Sequence, residues 1–200
     1  MQMIRLDDIN VHFREDGDPG GRAIMFSNSL GTDLRLWDKL VALMPDGLRL
    51  IRYDMRGHGL SDAPPAPYSM GTLVSDAERL ADYLGVRNCV FVGLSVGGLI
   101  AQGLAVKRPD IVAQMVLSNT AAKIGTRAMW DDRIASVKTG GIAALGDSIM
   151  ERWFSARFLD GPERAGWQHL LERQPDEGYM GVSAAISHTD FMNTTADLTL

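Results

Sequence analysis

The stretch from Val90 to Gly98 constrains the fold more than any other part of the chain. It begins as an apolar run, which suits a strand buried on both faces of a parallel sheet, and ends in Gly93-Leu94-Ser95-Val96-Gly97. The residues from Gly97 to Arg108 predict a helix. A Gly-x-Ser-x-Gly motif between a strand and a helix is typical of a nucleophile elbow, a sharp turn that lifts the serine hydroxyl above the sheet edge.

The geometry of such a turn explains its residue types. Ser95 must adopt a backbone conformation that is strained for a residue with a side chain, and Gly93 and Gly97 flank it because the turn leaves no room for a Cβ. The N-terminal amides of the following helix favour negative charge at the same point. We therefore expect Ser95 to be a catalytic nucleophile; the alternative is a tight strand–helix turn with an idle serine.

Predicted strands and helices alternate over the first 120 residues. This alternation favours an α/β fold with a mostly parallel, doubly wound sheet. Two short strands are predicted within residues 3–14, buried strands over 23–26, 48–53, 90–92 and 112–118, and helices over 36–44, 70–84 and 97–108.

The pattern changes after Asn119. Residues 121–194 show helical periodicity without a convincing strand, and Gly and Pro residues divide them into four predicted helices, 130–138, 141–154, 164–173 and 177–189. We expect this block to form a helical cap, or lid, over the sheet edge that carries Ser95. The predicted domain organisation is the first part of the core over 1–120, the cap over 121–194 and the start of a return to the core over 195–200.

Composition excludes several classes of function. An apolar content of 46% with 22% charged residues indicates a folded core, and the net charge of −5 gives no basic footprint for nucleic acid. No signal peptide or membrane-spanning run is recognisable, so a cytoplasmic protein is expected. The single cysteine, Cys89, excludes an internal disulfide framework and is expected to be a packed thiol.

A serine nucleophile that attacks a carbonyl also needs two N–H donors for the developing oxyanion. We predict that these are the backbone amides of Val96, directly after the nucleophile, and of Leu30, in a small-residue loop after a predicted strand. Leu30 could also act as a hydrophobic plug, and both roles are compatible. The sequence contains no metal-ligand cluster, cysteine pair or phosphate-binding glycine motif, so no cofactor is implied.

The loop 54–62 contains several polar groups between glycines, and we expect Asp54, Arg56 and Asp62 to hydrogen-bond its backbone. The serine also needs a base and an acid, which follow a nucleophile elbow in the order acid, then histidine. Downstream of Ser95 the only histidines are His169 and His188, both within the predicted cap, where surface or packing roles are expected. His12 and His58 lie upstream, outside this order.

The position after the strand 112–118 is Asn119, which cannot serve as the acid. We therefore expect the acid and the histidine of the triad beyond Leu200. On this interpretation the chain is a fragment, or the ordered part of a longer chain, whose missing portion completes the core. It carries the nucleophile without the complete triad.

Several stretches resemble the 3-oxoadipate enol-lactonases, also called β-ketoadipate enol-lactone hydrolases, of the α/β-hydrolase fold. The resemblance covers nearly all of residues 1–200, and its most particular parts are 27–31 and 119–125. The family usually has methionine after the nucleophile, where Val96 stands here; the change is conservative because the backbone carries the role. The matching stretches are 27–38, 52–64, 93–98 and 117–125, with further matches at Trp130, Arg133-Ile134, 152–154 and 177–179.

The resemblance implies a small-molecule substrate, the enol-lactone of 3-oxoadipate, which water opens to 3-oxoadipate during bacterial breakdown of protocatechuate and catechol. Ser95 would attack the lactone carbonyl, and the acyl-enzyme would then be hydrolysed. Because the substrate carries a carboxylate, a cationic partner is expected, and we predict Arg133 at the cap entrance. Trp130, one helical turn away, is predicted as a second substrate-binding residue. The alternative is a surface arginine beside a core tryptophan.

Two other functions remain open at this point. A general carboxylesterase of the same fold would use the same serine on a different acyl group. A non-catalytic, hydrolase-like binding module would suit the missing acid and histidine. A haloalkane dehalogenase is disfavoured, because that chemistry needs a carboxylate where Ser95 stands.

Overall fold

Six strands form one mixed sheet in the order β1-β2-β4-β3-β5-β6. The computed structural model describes residues 1–200. β1 pairs antiparallel with β2, and β2 with β4, whereas β4, β3, β5 and β6 run parallel to one another. The predicted α/β fold with a mostly parallel sheet is therefore confirmed. The strands are β1 (Gln2–Leu6), β2 (Ile9–Gly17), β3 (Arg22–Ser27), β4 (Leu48–Tyr53), β5 (Cys89–Leu94) and β6 (Val112–Ser118).

The helices fall into a core set and a set that follows β6. The core set is α1 (Asp38–Val41), α2 (Met70–Tyr83) and α3 (Val96–Lys107), with a 3₁₀ helix over Leu34–Trp37. The later set is α4 (Arg127–Gly140), α5 (Gly146–Trp153), α6 (Ala156–Leu159), α7 (Glu163–Glu172), α8 (Asp176–Ser187) and α9 (Met192–Ala196), with a 3₁₀ helix over Ile142–Leu145. None of these helices combines the length and the apolar character needed to cross a bilayer.

The side chains of β3 alternate between two hydrophobic clusters, one on each face of the sheet. Met25 belongs to the main cluster, which also contains the buried side chains of α2 and α3. Ile24 and Phe26 point to the opposite face, where they pack with Trp37 and Leu50. Because a strand places successive side chains on opposite faces, this alternation covers both sides of the parallel sheet, as a doubly wound arrangement requires.

Helix α2 follows its sequence pattern closely. The Ser69 hydroxyl accepts a hydrogen bond from the Thr72 N–H and caps the first turn. The apolar positions three and four residues apart form one buried face, with Leu73, Ala77 and Leu80 at 2% exposure or less. This face packs against α3 and fixes the helix that follows the elbow.

After β6, the helix predicted over 141–154 is divided into a 3₁₀ helix and α5, and the short helices α6 and α9 were not predicted. Two predicted elements of the core also differ from the structure. The helix predicted over 36–44 is instead a 3₁₀ turn followed by the short α1, because the Asp33 carboxylate accepts from the Arg35 N–H and starts the helical segment earlier. The strand predicted to be buried over 112–118 lies at the sheet edge. β5 is its only partner, so Val116 and Leu117 are 50% and 42% exposed.

The regular elements after β6 are all helices, the last of which ends at Ala196, and residues 197–200 form no strand. Helix α8 packs on α4 and is joined to the loop 54–62 by very close backbone contact: a Cβ on Gly178 would clash with the Gly57 carbonyl. The buried Gln174 reinforces this contact, because its Oε1 accepts a 2.7 Å hydrogen bond from the Gly59 N–H. The helical segment is thus fixed against the loop that follows β4.

Candidate active site

Ser95 occupies the turn between β5 and α3 with φ 55° and ψ −116°, a conformation that side chains rarely adopt. A Cβ on Gly93 would clash with the Gly97 carbonyl, and a Cβ on Gly97 would clash with the Ser27 carbonyl. The predicted need for glycine at both positions is confirmed. The strained serine and its two glycines together form the geometry of a nucleophile elbow.

The end of β6 holds the elbow from both sides. The Ser95 N–H donates to the Ser118 carbonyl at 3.0 Å, and the Thr120 Oγ1 donates to the Ser95 carbonyl at 2.7 Å. The methyl group of Thr120 also lies so close to Gly98 that a Cβ there would stand 2.5 Å from it. Sequence reasoning missed Thr120; the only available signal is its place just after the strand that neighbours β5.

The loop after β3 is fixed by buried polar side chains. Asn28 bridges two elements: its Nδ2 donates to the Tyr53 carbonyl at 2.9 Å, and its Oδ1 accepts from the Trp37 Nε1 at 2.6 Å. The Ser27 Oγ and the Tyr53 hydroxyl lie 3.0 Å apart. Fully satisfied buried networks of this kind favour a single loop conformation.

Leu30 lies in this loop, residues 28–33, which is called the Leu30 loop from here on. Its side chain is buried against the main core. Its backbone N–H donates to no protein atom, whereas the N–H of the next residue, Gly31, is hydrogen-bonded. A buried backbone N–H almost always has a partner, so a free one indicates a place for water or a ligand. Val96 is the first residue of α3, where helical N–H groups have no partner within the helix.

In the loop after β4, the prediction for Asp54 is confirmed. Its carboxylate accepts hydrogen bonds from the Leu34 N–H at 2.8 Å and the Leu60 N–H at 2.9 Å, and so organises the backbone. It also lies 2.7 Å from the His12 Nδ1. Burial raises the pKa of the Asp54 carboxyl, and these hydrogen bonds oppose that rise.

Arg56 and Asp62 were predicted to hydrogen-bond the backbone of this loop, and that prediction was wrong. Arg56 forms bidentate ion pairs with Asp8 and Asp76 rather than binding the loop backbone, because the loop brings its guanidinium between two carboxylates. The Asp62 carboxylate accepts from both the backbone and the side chain of Asn10, on β2. Both residues therefore attach the loop to neighbouring elements.

Trp130 and Arg133 lie together on α4. Trp130 is buried, and its Nε1 donates to the Ile124 carbonyl at 2.7 Å. The Arg133 guanidinium carbon lies 5.2 Å from the centroid of the Trp130 ring, within the range of a cation–π contact. Its Nη1 donates to the Tyr179 hydroxyl at 3.3 Å.

Tyr179 connects this cationic group to the Leu30 loop. A Cβ on Gly31 would lie 3.2 Å from the Tyr179 ring and 2.5 Å from the Leu171 side chain. Burial raises the pKa of Tyr179, while the charges of Arg133 and Arg152 oppose the rise. The helices after β6 thus place two arginines near one buried tyrosine, directly over the loop that carries Leu30.

None of the four histidines forms a hydrogen bond with Ser95. His12 pairs with Asp54, and His58 is buried in hydrogen-bond contact with Gly31. His169 and His188 are exposed on α7 and at the end of α8, and the His188 Nδ1 faces the Ala184 carbonyl at 2.9 Å. The structure therefore brings together Ser95, the Leu30 loop and the first turn of α3, without a base at the serine.

Known proteins share these features. The profile of the family described as "alpha/beta hydrolase fold" matches residues 22–139. The chain belongs to this family. Its function class is accordingly that of a hydrolase.

Two curated relatives from Acinetobacter baylyi bear out the resemblance drawn from the motifs. The 3-oxoadipate enol-lactonase 2 of this organism is 36% identical over 185 residues, which span 92% of this chain and 69% of the relative. Its 3-oxoadipate enol-lactonase 1 is 33% identical over 188 residues, 92% of this chain and 70% of the relative.

Solved structures agree with this relationship. The enol-lactonase from Burkholderia xenovorans LB400 superposes with a TM-score of 0.90 at 36% identity, covering 94% of this chain and 74% of that protein. A hydrolase from Pseudomonas aeruginosa superposes with a TM-score of 0.89 at 35% identity, covering 95% and 73%. The α/β-hydrolase architecture thus extends over nearly the whole described chain.

Proposed function

We propose that this α/β hydrolase opens the enol-lactone of 3-oxoadipate to 3-oxoadipate, with Ser95 as nucleophile. The observation that carries the proposal is the strained elbow at Ser95 beside a buried loop whose Leu30 N–H has no protein acceptor. The choice of lactone rests on the relatives named 3-oxoadipate enol-lactonase. The proposed place of the reaction is the β-ketoadipate pathway of aromatic catabolism.

In the proposed mechanism the Ser95 Oγ attacks the lactone carbonyl and forms a tetrahedral intermediate. The negative charge on its oxygen is stabilised by the N–H groups of Val96 and Leu30, with the first turn of α3 adding a favourable field. Collapse of the intermediate breaks the ring C–O bond and leaves an acyl-enzyme. The ring oxygen leaves as an enolate, which takes up a proton on carbon and becomes the ketone of the product. Water then attacks the acyl carbon and releases the dicarboxylate product and the free serine.

The free carboxylate of the lactone needs a positive partner, and we propose Arg133 for this role. Trp130 holds the guanidinium through the cation–π contact, and the ring itself is fixed because its Nε1 donates to the Ile124 carbonyl. The Tyr179 hydroxyl takes only one of the five guanidinium N–H groups at 3.3 Å. The remaining donors are suited to a bidentate carboxylate contact. The cap proposed for residues 121–194 would place this group over the serine.

The mechanism also requires a base that accepts the Ser95 proton and later activates water. No histidine among residues 1–200 forms a hydrogen bond with Ser95. We therefore propose no base from His12, His58, His169 or His188.

The deciding experiment compares the full chain and its Ser95→Ala variant on two substrates, the enol-lactone and a neutral aryl ester. We expect the wild type to favour the lactone and the variant to lose activity on both. Ser148→Ala is the control, because Ser148 is an exposed serine whose hydroxyl donates only to the Leu145 carbonyl, three residues earlier. Lactone turnover by the Ser95→Ala variant contradicts the nucleophile, and a preference for the aryl ester favours a general carboxylesterase.

A further inference from the structure

None of the four histidines has a role in the proposed mechanism, and His58 is the one that lies against the Leu30 loop. It is fully buried in the loop after β4. Its Nε2 lies 3.0 Å from the Gly31 backbone nitrogen, and its Nδ1 lies 3.3 Å from the Arg56 carbonyl oxygen. Both ring nitrogens are therefore engaged with backbone groups, and neither is free to take a proton from Ser95.

These two contacts fix the tautomer. The Gly31 N–H can only donate, so the Nε2 must be the unprotonated nitrogen that accepts it. The Nδ1 then carries the proton and donates to the Arg56 carbonyl. Burial lowers the pKa of His58 to about 4, which agrees with a neutral ring near neutral pH.

The orientation of the Gly31 amide affects the proposed oxyanion site directly. Gly31 has φ 81°, a conformation in which glycine is unrestrained, and the residue before it is the proposed oxyanion donor. The Gly31 N–H belongs to the peptide group that follows Leu30, so a bond to it restricts how Leu30 can turn. The cap packs on the other side of Gly31 through Leu171 and Tyr179 but offers it no acceptor.

We propose that His58 is a positioning residue: as a neutral imidazole that accepts from the Gly31 N–H, it holds the loop so that the adjacent Leu30 N–H stays directed at the oxyanion. The inference rests on the proposed function, since it concerns the same oxyanion site. The inference also explains why a histidine stands in the segment Arg56-Gly57-His58-Gly59. One short side chain at this position must offer a hydrogen-bond acceptor at one end and a donor at the other.

Two substitutions separate the two ends of the ring. His58→Gln can place an amide oxygen near the former Nε2 and keep the acceptor for Gly31. His58→Asn can place an amide NH₂ near the former Nδ1 and keep the donor to Arg56, but it removes the acceptor. Both variants delete the imidazole, but Asn is one methylene shorter than Gln and loses more packing at this buried site. Exchange of the Gly31 amide and the separate values of kcat and KM distinguish the lost acceptor from the lost packing.

The experiment measures kcat and KM of the wild type and both variants in the full chain, on the enol-lactone and on an aryl ester. We expect His58→Asn to lower kcat about ten- to a hundredfold with little change in KM, and His58→Gln to stay within about threefold of the wild type. Hydrogen exchange of the Gly31 amide should be slow in the wild type and in His58→Gln, and fast in His58→Asn.

Equal losses of kcat in the two variants, or an unchanged kcat in a folded His58→Asn variant, would overturn the positioning role of His58 but not the proposed function. A wild type that turns over neither substrate overturns the proposed function and the positioning role with it. If His58→Asn does not fold, ¹⁵N NMR of the wild-type imidazole decides. A protonated Nε2 at neutral pH contradicts the inference, whereas an unprotonated Nε2 with a protonated Nδ1 supports it.

Discussion

The backbone of Gly97 lies directly against the Ser27 carbonyl, so closely that no side chain fits between them. This contact joins the first turn of α3, which follows Ser95, to the end of β3, where the Leu30 loop begins. The two proposed oxyanion donors therefore lie on segments that touch through one glycine. Their relative position depends on this contact as much as on the elbow itself.

Gly97→Ala should separate these two segments. The added Cβ has only backbone to push against, so we expect a loss of about 1–3 kcal/mol in unfolding free energy and a kcat at least about tenfold lower. Gly166→Ala is the control, because Gly166 lies within helix α7 with open space around its Cα. That variant should gain about 0.5–1 kcal/mol and keep its kcat. Urea unfolding and steady-state kinetics measure both; equal kcat values would contradict the proposed coupling.

Arg133→Ala should affect the lactone more than a neutral ester. A charged hydrogen bond to the substrate carboxylate contributes about 1.5–3 kcal/mol, so the KM for the lactone should rise about ten- to a hundredfold. The neutral ester offers no carboxylate and should show little change. Arg127→Ala on the same helix is the control, because its side chain is 69% exposed and pairs only with Asp131. Equal increases for both substrates would assign Arg133 a packing role.

Arg56→Met tests the ion pairs that fix the loop after β4. The Arg56 and Asp76 side chains are each 4% exposed, so the substitution leaves the Asp76 carboxylate buried and unpaired. We expect a loss of about 3–5 kcal/mol in unfolding free energy at neutral pH. Lys123→Ala breaks an exposed pair with Asp190 and should cost less than about 1 kcal/mol. A small loss in Arg56→Met would show that Asp76 is solvated or protonated in the folded chain.

The parts of the fold that could be predicted from the sequence are those encoded by local patterns. The elbow is one example, because the residues Gly93, Ser95 and Gly97 all lie within one turn. The edge position of β6 could not be predicted, since an apolar run looks the same whether one or two strands pair with it. The same limit applies to Thr120 and His58. Their contacts with Ser95 and Gly31 join residues 25 and 27 positions apart, and no spacing rule connects them.

The free energy of unfolding should depend on pH through the titration of His58. Its folded-state pKa of about 4 lies below the ordinary value of 6.5, so between these values the unfolded chain binds a proton that the folded chain excludes. Stability from this group is complete above about pH 6.5 and falls as the pH decreases towards about 4.

Relative to neutral pH, the wild type should therefore lose about 2 kcal/mol at about pH 5 and about 3 kcal/mol at about pH 4 through this residue. The His58→Gln variant has no titrating group at this position, and its other ionisable residues are those of the wild type. The difference in unfolding free energy between the two proteins, measured by urea unfolding at several pH values, isolates the His58 contribution. Parallel curves from about pH 7 to about pH 4 would mean that the imidazole titrates alike in both states. The neutral acceptor proposed for the Gly31 N–H would then be wrong, because a ring that gains its proton near pH 6.5 could not hold that bond below it.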